Sequence, residues 1–194
     1  PLNVGAMKFP AGKELPLSIG FVGRIHFERG LKVFSEITTA LTKIEPNLRV
    51  IIAGDGPERK SFLKQLQTNI PISNIEFLGQ LNLIQMEAAW DKIGILLSTA
   101  PTESYGRSTR EALMHGIPVW GVPSRGIGEL IAEAGSVLVR ELNVQLSTND
   151  LEVTLRELLA LKRDNGYYTE YLQRRKEIVN DIGSAWARLS KTCQ

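Results

Sequence analysis

The sequence predicts an α/β domain, a Rossmann-like three-layer sandwich with a six-stranded parallel sheet, helices on both faces and extra helices at the C-terminal end. Three observations predict it. Apolar runs of strand length alternate with amphipathic stretches of helix length along most of the chain. The runs are nearly continuous in apolar character, as strands covered on both faces are. Several of them stop at a glycine, at Gly23, Gly54 and Gly79.

Residues 17–22 make the first strand. Leu31, Phe34, Ile37, Leu41 and Ile44 then recur three to four apart, the single apolar face of a helix that Pro46-Asn47 ends. Residues 48–53 form the second strand, and Gly54-Asp55-Gly56-Pro57 is a tight turn with Pro57 in the first turn of a helix reaching about Gln67. A third strand at 75–78 is followed by a short helix with Leu83, Met86 and Trp90 on one side, then by a fourth strand at 93–97. The loop 99–106 feeds a helix over 107–114, which His115-Gly116 closes. The fifth strand is 118–121, a short helix starts near Ile127, and the sixth strand is 137–139. From about Asn149 the chain reads as helical, with Tyr168, Tyr171, Leu172, Ile178, Val179, Ile182, Trp186 and Leu189 at helical spacing in the last helix. There is no internal repeat, low-complexity tract or long linker, so the 194 residues read as one domain.

Composition narrows the class of partner. Hydrophobic residues are 43% and charged residues 23% of the chain, the balance of a soluble globular protein. A net charge of +2 gives no reason to expect nucleic acid, which calls for a clustered basic face. The lone cysteine, Cys193, forms no intrachain disulfide and fits a reducing, cytoplasmic setting. The best apolar run, 93–97, falls far short of the roughly 20 residues that span a bilayer.

In an open α/β sheet, ligands bind beyond the carboxyl ends of the strands, at helix N-termini. The loop after the first strand, from Gly23 to Gly30, carries Arg24, His26 and Arg29. The loop after the fourth carries Glu103, Gly106 and the start of the next helix. Backbone N–H groups and the helix dipole there favour phosphate, and guanidinium groups add charge-assisted bonds. A phosphorylated ligand close to an acidic, hydroxyl-binding residue is the expectation.

At these loops the sequence resembles the retaining glycosyltransferases of family 4, the group 1 glycosyltransferases. Two glutamates separated by seven residues, Glu103 and Glu111 in Glu103-Ser104-Tyr105-Gly106-Arg107-Ser108-Thr109-Arg110-Glu111, match that family's signature, and Ala112-Leu113-Met114-His115-Gly116-Ile117-Pro118-Val119 its continuation. Gly23-Arg24, Arg29-Gly30, the Gly54–Pro57 turn and Phe77-Leu78-Gly79 match in order and approximate spacing, and Asn3-Val4-Gly5 with Phe9 is similar to the segment that opens the family's C-terminal domain. Two departures stand out. Arg29 takes the place of the usual lysine, and Ser124-Arg125-Gly126-Ile127-Gly128-Glu129 alters the usual pattern after the fifth strand.

The resemblance implies the donor-binding C-terminal half of a two-domain GT-B enzyme, which moves a hexosyl group from a UDP-, GDP- or ADP-sugar to an acceptor hydroxyl. It implies no cofactor and no metal, so protein cations take the charge of the leaving diphosphate. Arg24 and Arg29 would supply them, while Gly23 and the amides of Gly106, Arg107 and Ser108 line the diphosphate site with Ser104 and Tyr105. Glu103 would accept the sugar hydroxyls, and Glu111, about 7 Å along the helix axis from Gly106, the ribose hydroxyls. Leu81 would lie beside the base. The partner half is an N-terminal Rossmann-like acceptor domain, through which peripheral membrane association is also implied, and without it the isolated chain turns over poorly or not at all. With the last helix parted from that half, Trp186 and Leu189 would be more exposed than their spacing suggests.

Other readings remain open at this stage. A sugar-nucleotide epimerase or phosphorylase-like enzyme shares the fold, and a non-catalytic sugar-nucleotide-binding domain could keep the same residues. A glycosidase pair is disfavoured with Glu111 inside a helix. A dinucleotide-binding dehydrogenase lacks its third glycine after Gly54 and Gly56.

Overall fold

A computed structural model describes residues 14–161 apart from 144 and 146. The expectations for Asn3-Val4-Gly5, Phe9, the last helix with Trp186 and Leu189, and Cys193 fall outside the described residues.

Six parallel strands form one sheet: β1 (Ser18–Val22), β2 (Arg49–Ala53), β3 (Ile75–Gly79), β4 (Ile95–Ser98), β5 (Val119–Gly121) and β6 (Val139–Glu141), in the order β3-β2-β1-β4-β5-β6. Helices α1 (Leu31–Ile44) and α2 (Arg59–Asn69) connect the first three strands. Helices α3 (Leu83–Trp90), α4 (Arg107–Met114) and α5 (Arg125–Ala134) connect the last four, and α6 (Thr148–Ala160) follows β6.

The chain runs from β1 outward to β3, then returns to the other side of β1. Parallel crossovers keep one hand, so reversing the direction along the sheet puts the later helices on the opposite face. The two cores show this. One buries Phe34, Leu41, Phe62, Leu66, Leu151 and Leu155 against Val50, Ile52, Ile95, Leu97 and Trp120. The other buries Trp90, Ala112, Leu113, Ile127 and Leu130 against Ile51, Leu96, Val119 and Val139. Successive strand residues alternate between the two cores, which is why the strands are apolar without a polar face. Each large side chain so buried contributes roughly 1.5–3 kcal/mol, and Phe21, Phe34 and Phe62 add ring contacts with centroids 5.3–5.7 Å apart.

Several element boundaries differ from the sequence expectation. The sixth strand lies at 139–141 rather than 137–139. Val137 is 59% exposed in the turn that follows Gly135, while Val139 pairs with Val119. As an edge strand, β6 tolerates Arg140 and Glu141, which the apolar run did not suggest. The fourth strand starts at Ile95, because Ile93 and Gly94 still belong to the turn that buried Ser18 holds: its hydroxyl donates to the Lys92 carbonyl at 2.6 Å and accepts from the Gly94 N–H at 2.9 Å. Helix α2 begins at Arg59, two residues after Pro57, and α5 at Arg125. Leu83 does not share the buried side of α3 with Met86 and Trp90; the Asn82–Gln85 capping box makes it the first residue of the helix, and it is 75% exposed. No helix among the described residues is long and apolar enough to cross a membrane.

Candidate functional site

All six strands point their carboxyl ends to the same edge, and strand order reverses between β1 and β4. A crevice opens there, lined by Val22, Arg29, Ser98, Thr99, Glu103 and Ser108. The loops that follow β1 and β4 form its two walls.

The first wall is fixed from behind. The Gly23 N–H donates to the Ala53 carbonyl at 3.0 Å, and the Ile25 N–H to the Asp55 carbonyl at 2.9 Å. The Gly54-Asp55-Gly56 turn thus holds the loop after β1, and Asp55 is occupied by the Gly56 N–H and by Arg59, 3.1 Å away. Residues Phe27–Arg29 make one 3-10 turn that ends at Gly30, whose φ of +66° favours glycine. A Cβ at Gly30 would stand 1.9 Å from the Thr99 carbonyl oxygen. That close approach brings the two walls together, and the Thr99 hydroxyl closes it by donating to the Arg29 carbonyl at 2.9 Å.

Across the crevice, the Arg29 Nη1 donates to Glu103 Oε2 at 2.5 Å. The other carboxylate oxygen accepts the Gly106 N–H at 2.9 Å and the Tyr105 N–H at 3.3 Å. Gly106 is the N-cap of α4 at φ +70°, and as a glycine it has no side chain to cap with. Glu103 fills that role and complements the dipole. Burial would raise its pKa, but the Gly106 N–H, Arg29 and the Tyr105 N–H outweigh it, so the carboxyl sits below its ordinary value. The Gly126 N–H holds the Glu103 backbone by donating to its carbonyl at 2.9 Å.

The structure therefore brings Arg29, Glu103, Gly106 and Ser108 together. Gly23 stands at the base of the first wall, and Arg24 is exposed with no hydrogen bond or ion pair among the described residues. Ser104, Tyr105 and Arg107 lie exposed along the second wall. Leu81, half-buried, lies past β3, two strands from β1 along the same edge. Glu111 is half-buried on α4; burial raises its pKa, Arg107 opposes this, and Glu87 adds to it, leaving the carboxyl above its ordinary value. His26, in the first wall, has its Nδ1 3.3 Å from Glu28 and its ring against Phe27. His115 is buried at the end of α4, its ring stacked on Trp90 with centroids 5.5 Å apart and its Nε2 3.7 Å from Glu87.

One residue escaped the sequence reading. Arg110 is only 3% exposed although charged, because it works as a tie. Its Nε donates to the Tyr105 carbonyl at 3.1 Å, its guanidinium lies 4.5 Å from the Tyr105 ring centroid, and it pairs with both oxygens of Glu133 on α5. It holds the Tyr105–Gly106 turn from beneath. Its position one residue before Glu111, on the helix face that also buries Leu113 and Met114, was the available signal.

Residues 7–171 match the model of a family described as glycosyl transferases group 1. The 2-deoxystreptamine glucosyltransferase of Streptomyces kanamyceticus is 27% identical over 141 residues, which cover 73% of this chain and 36% of that protein. The fold is that of a TarM mutant of S. aureus solved with fondaparinux, alpha-GlcNAc-glycerol and UDP, at TM-score 0.69 and 18% identity over 96% of this chain and 38% of that one. It is also that of the C-terminal domain of a group 1 family protein, LpcC, from Francisella tularensis, at TM-score 0.62 and 18% identity over 77% of this chain and 82% of that one.

Proposed function

The chain belongs to the glycosyl transferases of group 1, and from that premise we propose that it is the donor-binding unit of a retaining, family 4-type enzyme acting on a nucleoside diphosphate sugar. The observation that carries the reading is the meeting of Arg29 and Glu103 over the N-terminus of α4, in the crevice where strand order reverses. In that seat the diphosphate takes Arg24, Arg29 and the amides of Gly106, Arg107 and Ser108, with Gly23, Ser104 and Tyr105 lining it. Preorganised cations and N–H dipoles stabilise the charge that grows on the leaving oxygen, with no metal in the step. Glu103 accepts donor-sugar hydroxyls, Glu111 grips the ribose hydroxyls, and Leu81 packs beside the base.

UDP in the TarM structure supports this class of ligand. The chain spans 36% of the glucosyltransferase it matches. Turnover therefore falls to the whole enzyme, in which a second Rossmann-like unit holds the acceptor and makes any peripheral membrane contact. A crystal soaked with a UDP-, GDP- or ADP-sugar tests the reading. The diphosphate is expected between Arg29 and the first turn of α4; a nucleotide seated elsewhere on the sheet would overturn it.

A further inference from the structure

We infer that Glu103 is an internal counter-ion held in the diphosphate seat, and that ligands enter only by exchanging with it. The inference rests on the donor-site reading above and adds a selection rule to it.

Part of the seat is already taken. Arg29 Nη1 and the Gly106 N–H, two of the donors proposed for the diphosphate, bond the Glu103 carboxylate at 2.5 and 2.9 Å, and the adjoining Tyr105 N–H does so at 3.3 Å. A carboxylate presents two oxygens and a negative charge, as one edge of a phosphate does. Only the side chain has to move for the exchange. The Glu103 backbone is held at both ends, its N–H donating to the Ala100 carbonyl at 3.4 Å and its carbonyl accepting from the Gly126 N–H at 2.9 Å. On the other wall, the Arg29 carbonyl is held by the Thr99 hydroxyl, so the backbone that carries the guanidinium also stays in place.

The exchange sorts anions by size and chemistry. Orthophosphate replaces one anion by another, and the expelled carboxylate has to find water or sit against the newcomer's charge. A nucleoside diphosphate brings a second phosphoryl group, which extends to Ser108 and Arg24. A nucleoside diphosphate sugar also brings hydroxyls, which the released carboxylate can accept. The crevice thus rejects free phosphate and rewards the complete donor.

Titration calorimetry of the 194-residue chain and of E103Q tests this, with orthophosphate, UDP, GDP, ADP and UDP-glucose as ligands. The nucleoside diphosphate that binds the parent chain is expected to bind E103Q about tenfold tighter, the factor that about 1.4 kcal/mol represents at 25 °C. Orthophosphate is expected to bind E103Q measurably and the parent chain not, and any advantage of UDP-glucose over UDP is expected to shrink in E103Q. If E103Q lacks a cooperative melt, E103S, which keeps a short capping hydroxyl without the charge, is expected to move affinity in the same direction. A nucleotide that binds both proteins, with the folded Glu103 variant equal or weaker, would overturn the counter-ion role and leave the donor site standing. No binding by any of the proteins would overturn the donor site itself.

Discussion

The Arg29 guanidinium and the Glu103 carboxylate, 74 residues apart in sequence, meet at 2.5 Å across the crevice between the loops after β1 and β4. One pair thus joins the two halves of the sheet where its direction of winding reverses, and the same carboxylate caps α4 through the Gly106 N–H. Folding and the proposed donor binding draw on the same groups.

The pair makes stability depend on pH with a definite sign. The carboxyl of Glu103 is held below its ordinary value in the folded chain. Its contribution is therefore present above the unfolded value of about 4.3 and is lost as pH falls through the folded one. Urea melts at pH 7, 5, 4 and 3 are expected to show a shallower acid decline for E103Q than for the parent chain. Parallel declines would remove Glu103 from the acid transition.

Glu111 has the opposite sign. Its carboxyl is held above its ordinary value by burial, with Glu87 adding to the effect. Folding disfavours its charged form, so stability falls as pH rises from the unfolded value to the folded one. E111Q is expected to be as stable as the parent or slightly more so at pH 7, yet to bind the nucleotide about 10- to 100-fold more weakly, the loss of a charged bond to a ribose hydroxyl. A Tm and a Kd from one preparation check both halves.

Two glycines separate backbone necessity from packing. Gly30 adopts φ +66° with the Thr99 carbonyl oxygen 1.9 Å from where a Cβ would stand. Gly128, inside α5, meets nothing within 4 Å. G30A is expected to cost at least about 2 kcal/mol, and G128A to add about 0.5–1 kcal/mol through helix propensity. Equilibrium denaturation of the two variants reads the difference directly.

Arg110 anchors the Tyr105–Gly106 turn, and its side chain is 4% exposed beside Glu133 at 38%. Removing the arginine leaves a carboxylate that water can reach, whereas removing the glutamate leaves a buried cation with Glu129 3.9 Å away. R110M is therefore expected to cost about 1–3 kcal/mol, and E133A at least as much. Chemical melts of both variants, read together with their nucleotide Kd, test the tie; an R110M protein that keeps both stability and affinity would remove Arg110 from the site.

The sheet was legible because strand runs such as 48–53 are nearly continuous in apolar character and a crossover helix such as α1 carries a clean apolar face. Glu103, Gly106 and Arg29 were legible as residues but not as a bonded cluster, since nothing local in the sequence tells that the Arg29 side chain crosses to Glu103 instead of facing solvent. Arg110 was hidden for a related reason. A charged residue on an amphipathic helix ordinarily reads as exposed, and only its partners on α5 and in the Tyr105 turn explain its burial. Val137 misled in the other direction. An apolar run beside Gly135 resembles a strand, but ladder pairing with β5 starts only at Val139.

A thermal-shift panel of UDP, GDP and ADP tests the donor-site assignment most directly. At tenfold excess over its Kd, a bound nucleotide stabilises the folded chain by about 1.4 kcal/mol, which raises Tm by about 3–6 °C for a domain of this size. At least one of the three is expected to do so, and the R24Q/R29Q double variant is expected to lose most of the shift while remaining folded. No shift with any of the three at millimolar concentration, or an undiminished shift in the double variant, would contradict the account.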